Sequence, residues 1–309
     1  MQKILQLRGK RMPKPSLNES NTSNFVSGHV GIVGLGLMGG SFAKALHEGG
    51  REVFAWNRTH ATLELAMIDT VAGELNDMSI PSCELLILAG YPASAIEWLK
   101  EKAPLISTGT IVIDTVGVKR AVCQSGFPLA KKYGFAFVGC HPMAGTQYSG
   151  YAHSRASMFR GAPMVVVPPE QMDDIERVDI LERLKQLLAP VGFGSWMLAT
   201  AAYHDEMIAY TSQLAHVVSN AYVKSPAARH HKGFSAGSYR DLTRVARLNP
   251  GMWTELFLDN ADNLSAELET LIDNLQQYKD ALDEHDEQKL FNLLAEGDHL
   301  KREAESRSA

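Results

Sequence analysis

The glycine-rich turn Gly34-Leu35-Gly36-Leu37-Met38-Gly39 constrains the fold of this chain more than any other stretch. The apolar run His29-Val30-Gly31-Ile32-Val33 before it reads as a buried parallel strand, and Ser41-Phe42-Ala43-Lys44-Ala45-Leu46 opens a helix after it. In such a turn Gly34 permits the sharp bend, Gly36 lets the backbone approach a pyrophosphate, and Gly39 lets helix and strand pack closely. The N–H groups and dipole of the helix that opens near Leu37 and Met38 then favour an anion. A second strand over residues 52–56 follows at the spacing of a βαβ unit. That context separates a dinucleotide-binding turn from an ordinary Gly-rich turn in an α/β protein.

The end of the second strand bears on cofactor choice. An acidic residue there would accept from a ribose 2′-hydroxyl, but this chain has Asn57, Arg58 and Thr59. A guanidinium can grip a 2′-phosphate that a carboxylate would repel. The sequence therefore favours NADP over NAD, with a merely solvated Arg58 as the alternative.

Further short apolar runs follow at residues 85–89, 110–114, 135–140 and 163–167, separated by helical segments such as 93–102 and 119–133. This alternation predicts an α/β, Rossmann-like, doubly wound and mostly parallel sheet, with ligands at the carboxyl ends of its strands. From residue 174 apolar positions recur at helical spacing: Ile175, Val178, Leu181, Leu184, Leu187 and Leu188. Helices are expected at 204–223 and over 260–301, and residues 193–198 are the one clear strand-like piece beyond residue 180. The division expected is a flexible basic tail at 1–28, a dinucleotide-binding domain at 29–172 and an all-helical domain at 173–309. Long amphipathic helices bury apolar surface against a second copy, so a homodimer is expected.

Composition excludes other classes. A net charge of −5 leaves no basic footprint for nucleic acid. No apolar stretch reaches the roughly eighteen residues of a membrane span. Cys83, Cys123 and Cys140 lack metal-type spacing and read as core thiols, which fits a cytoplasmic protein. The tail carries Lys3, Arg8, Lys10, Arg11 and Lys14 ahead of Ser/Asn-rich sequence without a signal core, and a transit peptide is its minor alternative reading.

Three polar patches stand out. His141-Pro142-Met143-Ala144-Gly145-Thr146 follows a strand, where a near-neutral imidazole suits proton transfer. Ser212 and His216 are four residues apart on one helix, which fits a core pair as well as a binding pair. Arg244, in Asp241-Leu242-Thr243-Arg244, needs a partner, either Asp241 or a substrate carboxylate.

In order, GLGLMGGS, DTVGVK at 114–119, GCHPMAGTQYSG at 139–150, SQLAH at 212–216 and RDLTRVARLNPGMW at 240–253 resemble the prephenate and arogenate dehydrogenase family over residues 29–260. The resemblance implies a nucleotide domain, a helical dimerisation domain and an oxidative decarboxylation in tyrosine biosynthesis with NADP or NAD. It implies His141 as the base and Arg244 as the clamp on the substrate carboxylate. His216 and Ser212 would lie near the substrate's tail, with Gly237 and Trp253 as pocket positions, Trp253 from a partner subunit. Thr115 and Gly117 fall beside the cofactor.

Two departures matter. Gly117 stands where the motif usually has serine, so a water or Thr115 would have to replace its hydroxyl. Gln147 stands where an acid is frequent, and a neutral amide cannot pair with arogenate's ammonium, which favours prephenate. No chorismate mutase segment is read, so feedback by tyrosine, if it operates, is expected at the active site. The alternatives are a β-hydroxyacid-type dehydrogenase, which would normally carry a lysine on the first long helix of the second domain, and a catalytically silent nucleotide-binding homologue.

Overall fold

A computed structural model describes residues 28–146 and 148–308. Eight strands form one sheet: β1 (His29–Val33), β2 (Val53–Trp56), β3 (Gly73–Glu74), β4 (Cys83–Leu88), β5 (Ile111–Asp114), β6 (Ala136–Pro142), β7 (Pro163–Val167) and β8 (Ser195–Leu198). Their order is β3-β2-β1-β4-β5-β6-β7-β8. The first six run parallel, and β7 reverses against β6 with His141 opposite Val165. β4 is buried along its whole length, as a strand covered on both faces must be.

Helices α1 (Leu37–Glu48), α2 (His60–Met67), α3 (Pro92–Lys102), α4 (Arg120–Tyr133) and α5 (Asp174–Leu187) cover the sheet. Phe42 and Leu46 of α1 and Leu184 of α5 are fully buried in one core with Val30, Ile32 and Ile87. Each such side chain contributes about 1.5–3 kcal/mol by leaving water. A second core on the opposite face joins Trp98, Leu99 and Val122 to Leu86 and Val112.

The remaining helices are α6 (Ala201–Ile208), α7 (Ala215–Tyr222), α8 (Gly237–Thr243), α9 (Pro250–Leu258), α10 (Ala261–Asp283) and α11 (Glu287–Ser308). A π-helical segment, Ala209–Leu214, joins α6 to α7, so the uniform helix expected over 204–223 is interrupted. The strand-like piece at 193–198 is not part of the helical region either: β8 pairs in parallel with β7 and extends the sheet. α5, expected to open the second domain, packs its apolar side on the sheet's core. The helical body thus begins with α6. All three cysteines are buried and unpaired. Among the described residues no helix is long and apolar enough to cross a membrane.

Candidate active site

The switch point of the sheet lies between β1 and β4, where an open α/β fold offers its crevice. The three glycines there differ in what surrounds them. Gly34 has φ +97°, left-handed backbone that a side chain would strain, and its N–H donates to the Trp56 carbonyl at 2.7 Å. A Cβ on Gly39 would stand 1.8 Å from the Gly34 carbonyl oxygen, so helix and turn touch there. A Cβ on Gly36 would meet nothing within 4 Å. That open face, at the N-cap of α1, fits the pyrophosphate of a dinucleotide, with the N–H groups near Leu37 and Met38 as donors.

Asn57 braces this turn. Its side-chain oxygen accepts from the Leu35 N–H at 2.9 Å, and its amide donates to the Thr59 carbonyl at 2.9 Å. Arg58 is exposed beside it with its guanidinium open to a ligand, and Thr59 caps α2. Across the crevice, the Thr115 N–H donates to the Leu88 carbonyl at 2.9 Å and the hydroxyl points at the same oxygen at 3.4 Å.

His141 lies within β6, one residue before its end, rather than after the strand. Its Nδ1 is 2.9 Å from Nε2 of His204 on α6, and Nδ1 of His204 is 2.7 Å from Asp205 Oδ1. Asp205 also accepts the N–H groups of Lys119 (2.6 Å) and Arg120 (2.8 Å), at the start of α4. Among the described residues the hydrogen-bond partner of the imidazole is another histidine, not Thr115, whose hydroxyl faces the Leu88 carbonyl. Burial, with help from His204 and Lys119, holds the His141 pKa well below the ordinary histidine value. Burial also lowers His204, against the hydrogen bond it donates to Asp205. For Asp205 burial opposes ionisation, but donors from His204, Arg120 and Lys119 outweigh it and leave the carboxyl below its usual range.

Close to His141 lies a buried ion pair, Lys119 with Asp114. Asp114 also accepts from the Val116 N–H at 2.9 Å and the Cys140 N–H at 3.1 Å, which ties the end of β5 to β6 just before His141.

The helical body reaches the same edge through α9. A Cβ on Gly117 would lie 3.3 Å from the Leu256 side chain. One turn back, Trp253 packs on the His216 ring of the same chain with centroids 4.0 Å apart. His216 Nδ1 donates to the Val245 carbonyl at 3.1 Å. Burial first, and the nearby Arg244 charge next, lower its pKa despite that bond. Arg244 caps α8, is exposed and forms no ion pair with Asp241 among the described residues. Ser212 lies in the π-helical segment, half-buried, and Gly237 opens α8 with free space about its Cα. Gln147 lies outside the described residues.

No local sequence pattern marks His204, Asp205 and the buried Lys119 as members of this site. A His-Asp doublet at a helix start looks like an ordinary capping pair, and only the approach of α6 to β6 gives it a partner.

A family model for the prephenate dehydrogenase nucleotide-binding domain matches residues 42–192, and one for the prephenate dehydrogenase dimerisation domain matches residues 200–296. A cyclohexadienyl dehydrogenase of Zymomonas mobilis is 28% identical over 305 residues, covering 91% of this chain and 95% of its own. The structure of prephenate dehydrogenase from A. aeolicus in complex with hydroxyphenyl propionate and NAD+ superposes with a TM-score of 0.77 at 26% identity, over 91% of this chain and 99% of that one. Synechocystis arogenate dehydrogenase superposes with a TM-score of 0.73 at 26% identity, over 89% and 99%.

Proposed function

Since the chain belongs to the prephenate dehydrogenase family through both its nucleotide-binding and its dimerisation domains, we propose that it oxidatively decarboxylates prephenate to 4-hydroxyphenylpyruvate. A nicotinamide dinucleotide, when bound, supplies the hydride acceptor. His141 Nε2 takes the proton of the ring hydroxyl as hydride leaves the carbinol carbon. The ring carboxylate then departs as carbon dioxide, its bonding electrons complete the aromatic ring, and the oxygen takes back a proton to become the phenol. Arg244 holds a substrate carboxylate, and His216 with Ser212 and Trp253 lines the side-chain end of the pocket.

One observation carries the assignment of the base. His141 stands at the carboxyl edge of the sheet with its pKa held down by burial, hence neutral and able to accept a proton at neutral pH. Arg244 supports the same reading, because an arginine that makes no ion pair with Asp241 keeps its fork of donors for an anion.

Three finer points belong to this reading. NADP is preferred over NAD, because Arg58 is exposed at the end of β2 and no carboxylate occupies position 57. Prephenate is preferred over arogenate, because Gln147 carries no charge to pair with an ammonium. The protein is a homodimer, built on the helices that the dimerisation model covers.

Assaying prephenate and arogenate side by side with NADP and NAD tests the reading. Prephenate with NADP should give the highest kcat/KM, and no turnover of either substrate would refute it. His141→Asn should lower kcat at least about a hundredfold with dinucleotide affinity unchanged.

A further inference from the structure

Resting on the assignment of His141 as base, we infer that His204, anchored by Asp205, is a positioning residue that sets the tautomer of His141 and leaves its Nε2 free to accept a proton.

The argument begins at the carboxylate. Asp205 Oδ1 receives the Lys119 N–H at 2.6 Å and Oδ2 receives the Arg120 N–H at 2.8 Å. An ionised carboxylate only accepts, so the His204 nitrogen 2.7 Å away must be the one carrying hydrogen. A neutral imidazole with hydrogen on Nδ1 has a bare Nε2. That atom is 2.9 Å from His141 Nδ1, and two lone pairs cannot face each other at that distance. His141 must therefore donate from Nδ1, and its own lone pair falls on Nε2. One carboxylate thus fixes the protons of two rings in sequence. The same chain stabilises the imidazolium that forms when Nε2 takes a proton, because the donated hydrogen bond strengthens and Asp205 lies behind it.

The anchor is rigid. Asp205, on α6, is fully buried against the start of α4, and its own carbonyl accepts from Asn260 of the helical body at 2.8 Å. The two rings are tilted 55° with centroids 5.1 Å apart, which suits an in-plane nitrogen–nitrogen contact rather than stacking.

Two measurements test this. In histidine-labelled protein the ring ¹⁵N shifts report the tautomer directly, and among the 11 histidines the His141 signals are those missing from His141→Asn. Above neutral pH, without substrate, His141 should appear as the Nδ1–H form. His141 found as Nε2–H overturns the inference, and this spectrum needs no other variant to fold. His204→Phe keeps a ring but removes the acceptor. It should mix the His141 tautomers and lower kcat by about tenfold to a hundredfold, part of what general base catalysis supplies, with KM and dinucleotide affinity nearly constant. His204→Gln offers an amide oxygen to the same hydrogen and should recover most of that loss. Equal losses in both variants with an unchanged His141 spectrum would reduce His204 to a packing residue and end the proposal. Failure of the assigned reaction is distinguishable, since it appears as an inactive wild-type enzyme whatever the spectrum.

Discussion

At the scale of single residues, the site is a set of histidines kept neutral. Burial is the first cause of the lowered pKa at His141, His204 and His216. Each is therefore protonated more readily in the unfolded chain, at about its ordinary value of 6.5, than in the folded one. Because the unfolded state binds the extra protons, stability from these groups is complete above that value and is lost as pH falls below it. Thermal midpoints should drop across that interval, and less steeply in His141→Asn. The acid limb of kcat/KM should lie below pH 6.5, and a limb at or above it would mean that the base is not His141. Arg58 tests cofactor choice at the same scale. Arg58→Ala should raise the KM for NADP by about tenfold, on the order of 1.4 kcal/mol, and that for NAD by much less. Equal rises would remove the preference. His141, Arg244 and Arg58 could be picked out as candidates in the sequence because each sits in a motif or at a strand end. His204 was not, because its meaning comes from a residue 63 positions away.

At the scale of elements, the turn before α1 separates folding from binding. Alanine at Gly39 should gain up to about 1 kcal/mol in helix propensity. Its Cβ, however, would stand 1.8 Å from the Gly34 carbonyl, a backbone atom that cannot swing aside. Overpacking of that kind costs about 1–3 kcal/mol, so Gly39→Ala should lower the melting temperature. Gly36→Ala adds a methyl into open space and should melt close to wild type, while binding either dinucleotide at least about tenfold more weakly. Calorimetry beside dinucleotide titration checks the pair, and a Gly36→Ala protein with full affinity would argue against that approach path. The π-helical segment shows what periodicity cannot reach. Apolar spacing over 204–223 reads as one helix, yet an inserted register at Ala209–Leu214 turns Gln213 inward. There its amide donates to the Leu256 carbonyl and its oxygen accepts from Asn260, both at 2.8 Å.

At the scale of the whole molecule, apolar side chains line the outer helices. Ile272, Leu275 and Leu282 of α10 and Phe291, Leu294 and Leu300 of α11 are more than half exposed in the single chain. A second copy would cover such faces, and the dimerisation model spans most of them. Leu275→Glu combined with Phe291→Glu should yield monomers by light scattering, and an unchanged mass would place the interface elsewhere. The amino-acid sequence by itself determined the dinucleotide turn, the alternation of strands with helices and the residues proposed as base and clamp. Those features are local: glycine stereochemistry, a period of two or 3.6, and charged groups at strand or helix ends. Only the tertiary structure decided that β8 and α5 complete the sheet, that α9 brings Trp253 onto His216, and that Asp205 fixes His141 through His204. Strand pairing and buried hydrogen-bond chains join residues far apart along the chain, and no local pattern encodes which of them will meet.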